Sequence, residues 1–180
     1  MPGSAKHRYT QRLVTLGVIA ALAVAASGCG GSSQTKKANE EWANAVCTSI
    51  GAWKKQVHET YTSLNPFFGP VARLHQAIGA TRQLAKELED IGLPKTEQGA
   101  KAKQQYEQLW TNLQTQLTHV ENSAEKLKSG DISGALALIG ELKTATSTAI
   151  TALDDLRTVA SPDLALAIAE TGACQALHGD

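Results

Sequence analysis

The chain has no segment of strictly alternating apolar and polar residues, no excess of basic charge and no apolar run long enough to cross a bilayer. The first absence argues against strands, and with them against any phosphate-binding loop that follows a strand. The second follows from the balance of 17 Lys and Arg against 17 Asp and Glu. Removing the three cations of the first 29 residues, Lys6, Arg8 and Arg12, leaves 14 basic against 17 acidic. No basic stripe remains to neutralise phosphates, which argues against nucleic acid as a partner. The third absence concerns Leu13 to Ala26, which is apolar or nearly so but falls short of the ~20 residues a spanning helix needs.

Catalytic and metal-binding patterns are also missing. A carboxylate-bridged metal site in a helical bundle needs Glu-x-x-His pairs. The residues three before His58, His75, His119 and His178 are Lys55, Ala72, Gln116 and Gln175, none of them acidic. No Cys-x-x-Cys or His-x-x-x-His spacing suits zinc, and no Gly-x-Ser-x-Gly elbow presents a nucleophile. The acidic clusters Glu87-Glu89-Asp90 and Asp154-Asp155 fall on solvated helix faces, and Trp42, Trp53 and Trp110 fall on core stripes. The expectation is a protein that is not an enzyme, with no metal site and no cofactor.

What is present begins at the N-terminus. Lys6, His7, Arg8 and Arg12 form a positive segment without an acid, followed by the apolar run and then by Val24-Ala25-Ala26-Ser27-Gly28-Cys29. A charged start, ~7–15 apolar residues and small residues at the end make a secretory signal. A cysteine just after the small residues makes it resemble the lipobox of bacterial lipoproteins, with Ala26 where Leu or Val is more usual. The resemblance implies a signal peptide over 1–28, a lipidated Cys29 as the first mature residue, and attachment to the lipid bilayer through its acyl chains. An ordinary secretory signal or an uncleaved N-terminal anchor is the alternative. Three cysteines are an odd number for an exported chain. With Cys29 carrying lipid, Cys47 and Cys174 remain as a pair, and outside the cytoplasm such a pair oxidises. Two buried free thiols are the alternative.

Residues 30–38 hold no core former and are expected to be a flexible Gly/Ser tether. From Asn39 the spacing turns helical. Trp42, Val46, Ile50, Trp53, Val57, Tyr61 and Leu64 make one apolar stripe, with Cys47 on its edge, up to Pro66. Val71, Leu74, Ile78, Ala85, Leu88 and Ile91 mark a second helix, ended by Gly92-Leu93-Pro94. Tyr106, Leu109, Trp110, Leu113, Leu117, Val120, Ala124 and Leu127 repeat in near-heptad fashion, as a coiled-coil seam would. Asp131 or Ser133 can cap a fourth stripe of Ile132, Leu136, Ile139, Leu142, Ala149, Leu153 and Leu156. Ser161-Pro162-Asp163 starts a short fifth helix carrying Leu164, Ile168 and Cys174.

The fold class expected is therefore all-α: an up-down-up-down four-helix bundle over residues 39–180, closed by the fifth helix. An even number of passes returns the chain to the end where the first helix began, which places Cys174 near Cys47. Phe67 and Phe68, in the first loop, either plug the end of the core or contact a partner. The lipobox-type signal, Trp42, Val46 and Cys47, and the run Ala173, Cys174, Gln175 and Leu177 together resemble small exported lipoproteins of actinomycete-type bacteria. That resemblance implies a lipid-anchored protein on the extracytoplasmic face of the cell membrane. The function expected is a monomeric, non-catalytic binding module for an envelope protein, or alternatively a carrier or sensor of a small apolar ligand held between the helices.

Overall fold

The computed structural model describes residues 30–62, 69–93, 99–128 and 130–179, and every regular element among them is helical. The elements are α1 (Gly30–Thr62), α2 (Pro70–Ile91), α3 (Gly99–Ala124), α4 (Ile132–Val159), α5 (Pro162–Glu170) and α6 (Gly172–Ala176). Among the described residues no helix is long and apolar enough to cross a membrane.

The four long helices run antiparallel in sequence order. Trp42, early in α1, donates its indole N–H to the carbonyl of Gly92 at the end of α2, 2.7 Å away. Tyr106 and Trp110 near the start of α3 reach back to the carbonyls of Leu88 and Ala85 late in α2. His119 late in α3 meets Glu141 early in α4, and Lys143 of α4 sits over the ring of Tyr61 at the end of α1. Helices α2 and α4 approach each other across the short diagonal, whereas the α1 and α3 backbones stay apart and meet through the rings of Trp42 and Tyr106.

The helix boundaries follow local chemistry. Pro70 occupies the first turn of α2, where a missing N–H costs nothing. Gly92 adopts φ +59° and returns its N–H to the Leu88 carbonyl, which ends that helix. Of the two candidate caps for α4, Asp131 is the one used: its carboxylate accepts the Gly134 N–H at 2.9 Å. Ser161, Pro162 and Asp163 open α5 as the sequence predicts.

Three expectations are corrected. Residues 30–38 are helical rather than coiled, extending α1 by two and a half turns. Two ion pairs at (i, i+4) spacing, Lys36–Glu40 and Lys37–Glu41, tie this extension to the body of the helix. The first buried side chain is nonetheless Asn39, so the core begins where the periodicity does. Second, the C-terminal helix is two helices, because Thr171 takes an extended conformation between them. Third, the apolar stripes overrun the core at one end of the bundle. Tyr61, Ile132 and Leu136, at the end opposite α5 and α6, are 46%, 55% and 42% exposed, and no described helix lies over them. Cys29, the segment before it, and Phe67 and Phe68 lie outside the described residues.

The core joins all six helices, with Trp53, Ile50, Leu74, Leu88, Ile139, Leu142 and Leu164 among its largest side chains. Cys47 and Cys174 are bonded within it, their Cα atoms 4.9 Å apart, joining α1 to α6. Beside the bond, the Lys54 ammonium donates to the carbonyls of Leu177 and Gly179. Gly51 gives Leu177 room: a Cβ there would stand 3.4 Å from the leucine methyl.

Candidate binding groove between α3 and α4

Among the described residues, a groove of about 880 Å³ runs between α3 and α4 on the outer surface of the bundle. Its floor is apolar, made by Leu109 and Leu113 from α3 and by Ala145 and Ala149 from α4, all buried. It is shallowly walled on one side because α4 offers Ala137, Gly140, Thr144, Thr148 and Ala152 there, none larger than threonine. The same small residues dilute the fourth stripe in the sequence. They let the two helices pack at the floor while leaving space above it.

Along its middle the groove carries no charge. Residues 108–118 of α3 and 144–153 of α4 contain no Lys, Arg, Asp or Glu. The α3 wall is made by Asn112, Thr115 and Gln116, all exposed. The hydroxyls of Thr115, Thr144 and Thr148 each donate to the carbonyl four residues back in their own helix. Their protons are thus engaged within the helices, and their oxygens remain able to accept. At one end, His119 Nε2 lies 3.3 Å from Glu141 Oε2, both side chains open to solvent. This arrangement offers hydrogen bonds over an apolar floor, which is the chemistry of binding.

The histidines and acids named from the sequence are distributed rather than gathered. His119 pairs with Glu141 and His178 with Asp154, on different parts of the surface, while His58 and His75 are exposed. Glu89, Asp90 and Asp155 are exposed as well. Among the described residues no group of three metal-ligating side chains forms. One titrating group is displaced from its ordinary range: burial pushes the Tyr106 phenol from 10.0 up to about 12. Its hydroxyl donates to the Leu88 carbonyl at 2.7 Å, and its ring meets Trp42 at 5.7 Å. That cluster is part of the packed interior.

Sequence reasoning did not single out Asn112, Gln116, Thr144 or Thr148. A signal existed, since two solvated helix faces without a charge over ten or more residues are unusual beside the Lys/Glu-rich faces of α1 and α2. Polar residues between apolar stripes read simply as the wet side of a helix, and only packing shows that two such sides face one another. No protein-family model, curated protein or solved structure matches the chain.

Proposed function

We propose that this chain is the precursor of a small actinomycete-type lipoprotein, anchored by Cys29 to the extracytoplasmic face of the cell membrane. Its helical domain acts as a non-catalytic module that binds an envelope protein through the α3–α4 groove. The cysteine arrangement carries the anchoring half of this reading. With Cys47 and Cys174 bonded to each other, Cys29 is the one thiol left over, and it directly follows the small residues that close the apolar run. Two acyl chains there would hold the domain stably where one is marginal. The open groove, uncharged along its middle, supports the binding half, because its rim is accessible to a large partner.

Mass analysis of the N-terminus after expression in a bacterium with lipoprotein processing tests the anchor. The expected product starts at Cys29 with a diacylglyceryl thioether, and Cys29→Ser abolishes membrane association. An unmodified chain beginning at Met1 rejects it. Cross-linking on intact cells, with the Cys29→Ser protein as control, tests the module.

The apolar floor of Leu109, Leu113, Ala145 and Ala149 favours a second reading, a carrier or sensor of a small apolar molecule. Native mass spectrometry of protein released without denaturant decides between the two. A retained ligand of lipid mass supports the carrier, and an empty domain removes it.

A further inference from the structure

Three carboxamides stand at four-residue spacing along α3: Asn112 and Gln116 on the rim of the groove, and Gln108 on the adjoining concavity that continues it towards Asp155. Each is exposed, and none is engaged in a hydrogen bond with a described residue. Four helical residues advance about 6 Å along the axis. An extended polypeptide repeats its backbone pattern every two residues, or about 6.7 Å. A carboxamide can donate one N–H and accept at its oxygen, so it matches one peptide unit. The rim is thus in step with an extended backbone, and Thr144 and Thr148 repeat the same spacing on the opposite wall as acceptors.

Length and charge agree with this. From Ala137 to Ala152 the groove runs along α4 for about 22 Å, the reach of six or seven extended residues. Its central part is free of charged side chains, so a charged occupant would find no counter-ion there. Other occupants fit less well. A helix has its backbone groups satisfied internally and is about 10 Å across with its side chains. An acyl chain would leave covered carboxamides without partners. A sugar would lack the broad ring it stacks on, since no Trp, Tyr or Phe is among the described lining residues.

We propose that the α3–α4 groove takes up an extended, uncharged polypeptide segment of the partner, held by its backbone on the Gln108, Asn112 and Gln116 carboxamides. Alternate side chains of the segment point onto the floor of Leu113, Ala145 and Ala149, which accepts small apolar groups. This rests on the binding-module reading and specifies its ligand.

The test uses the full-length protein, fluorescently labelled, against a bead-bound library of octapeptides built from Gly, Ala, Val, Leu, Ser, Thr, Asn and Gln. Selected peptides are expected to alternate small apolar and polar residues. Methylating alternate backbone nitrogens of a selected peptide should weaken binding about tenfold, as should Asn112→Ala or Gln116→Ala, the effect of ~1.4 kcal/mol. Lys55→Ala, on an exposed site of α1, should leave binding unchanged. No enriched peptide, or equal binding of methylated and unmethylated forms, overturns the proposal. An envelope partner retained by the Asn112→Ala, Gln116→Ala double variant also overturns it, while leaving the binding module standing. A chain without lipid at Cys29 removes the anchor reading and does not alter the peptide measurement.

Discussion

On the α1–α2 side, side chains are tied across the helices by directed bonds. Trp53 donates to the Thr81 hydroxyl at 2.9 Å, Trp42 to Gly92, and the C-terminal helices are fixed by the Cys47–Cys174 bond and by Lys54. On the α3–α4 side, the cross-helix polar contact is the solvent-exposed pair His119–Glu141, and the helices meet over alanines. Among the described residues, the α1 backbone lies close to α2, α4, α5 and α6, whereas the α3 backbone lies close to α2 and α4 and reaches α1 through the Tyr106–Trp42 ring contact. One half of the bundle is thereby stapled, and the other carries an open groove. The two halves can be perturbed separately, because residues that do not touch contribute almost independently.

The largest test of this contrast is the staple itself. The bond joins residues 127 apart, so its loss through Cys47→Ser with Cys174→Ser should cost about 4–5 kcal/mol in the loop-entropy model. Urea unfolding measures it, and an unchanged midpoint would show that the bond does not hold the α1 half together. Trp53→Ala should come next, at about 3–5 kcal/mol, since the indole is 2% exposed and no neighbour can fill its volume. Trp110→Ala should cost less, because that ring is only half-buried. Equal losses would erase the difference between the halves.

Tyr106 sits where α2 and α3 join, and its effect should be smaller. Tyr106→Phe should cost about 1 kcal/mol at neutral pH, because Leu88 keeps the N–H of Gly92 when the phenol is removed. The folded state holds the phenolic proton more tightly than the unfolded chain, with its titration raised from 10.0 to about 12. This contribution is complete below pH 10 and is lost as pH rises towards 12. Wild-type stability should therefore fall more steeply than that of the phenylalanine variant in this window. The smallest effect belongs to the groove: Asn112→Ala and Gln116→Ala should each change stability by no more than about 0.5 kcal/mol. A larger loss would mean that the rim contributes to folding rather than being free for a ligand.

Most of the fold could be read from periodicity. The stripes through Trp42–Val57 and Leu74–Leu88 are buried as spaced, the third buries Leu109, Leu113 and Val120 with Trp110 and Leu117 half-buried, and Gly92, Asp131 and Pro162 mark helix ends by local backbone chemistry. Readings failed where the outcome depended on what lies beyond a helix. Tyr61, Ile132 and Leu136 continue their stripes in sequence, yet they are exposed, with no described element packed over that end. Residues 30–38 looked unstructured by composition, and they are helical as a continuation of α1, where adding a residue to an existing helix avoids the cost of nucleation.

The sequence alone determined the class of structure, the core faces of the four long helices and the pairing of two cysteines, because helical spacing and cysteine parity are local or countable properties. Tertiary structure alone decided that α2 and α4, rather than α1 and α3, share the short diagonal. It also brought two uncharged polar faces, about 30 residues apart in the chain, to opposite banks of one groove. A face acquires a binding meaning only from the face set against it, and which faces meet is fixed by how small residues at Gly140, Ala145 and Ala149 let two helices approach.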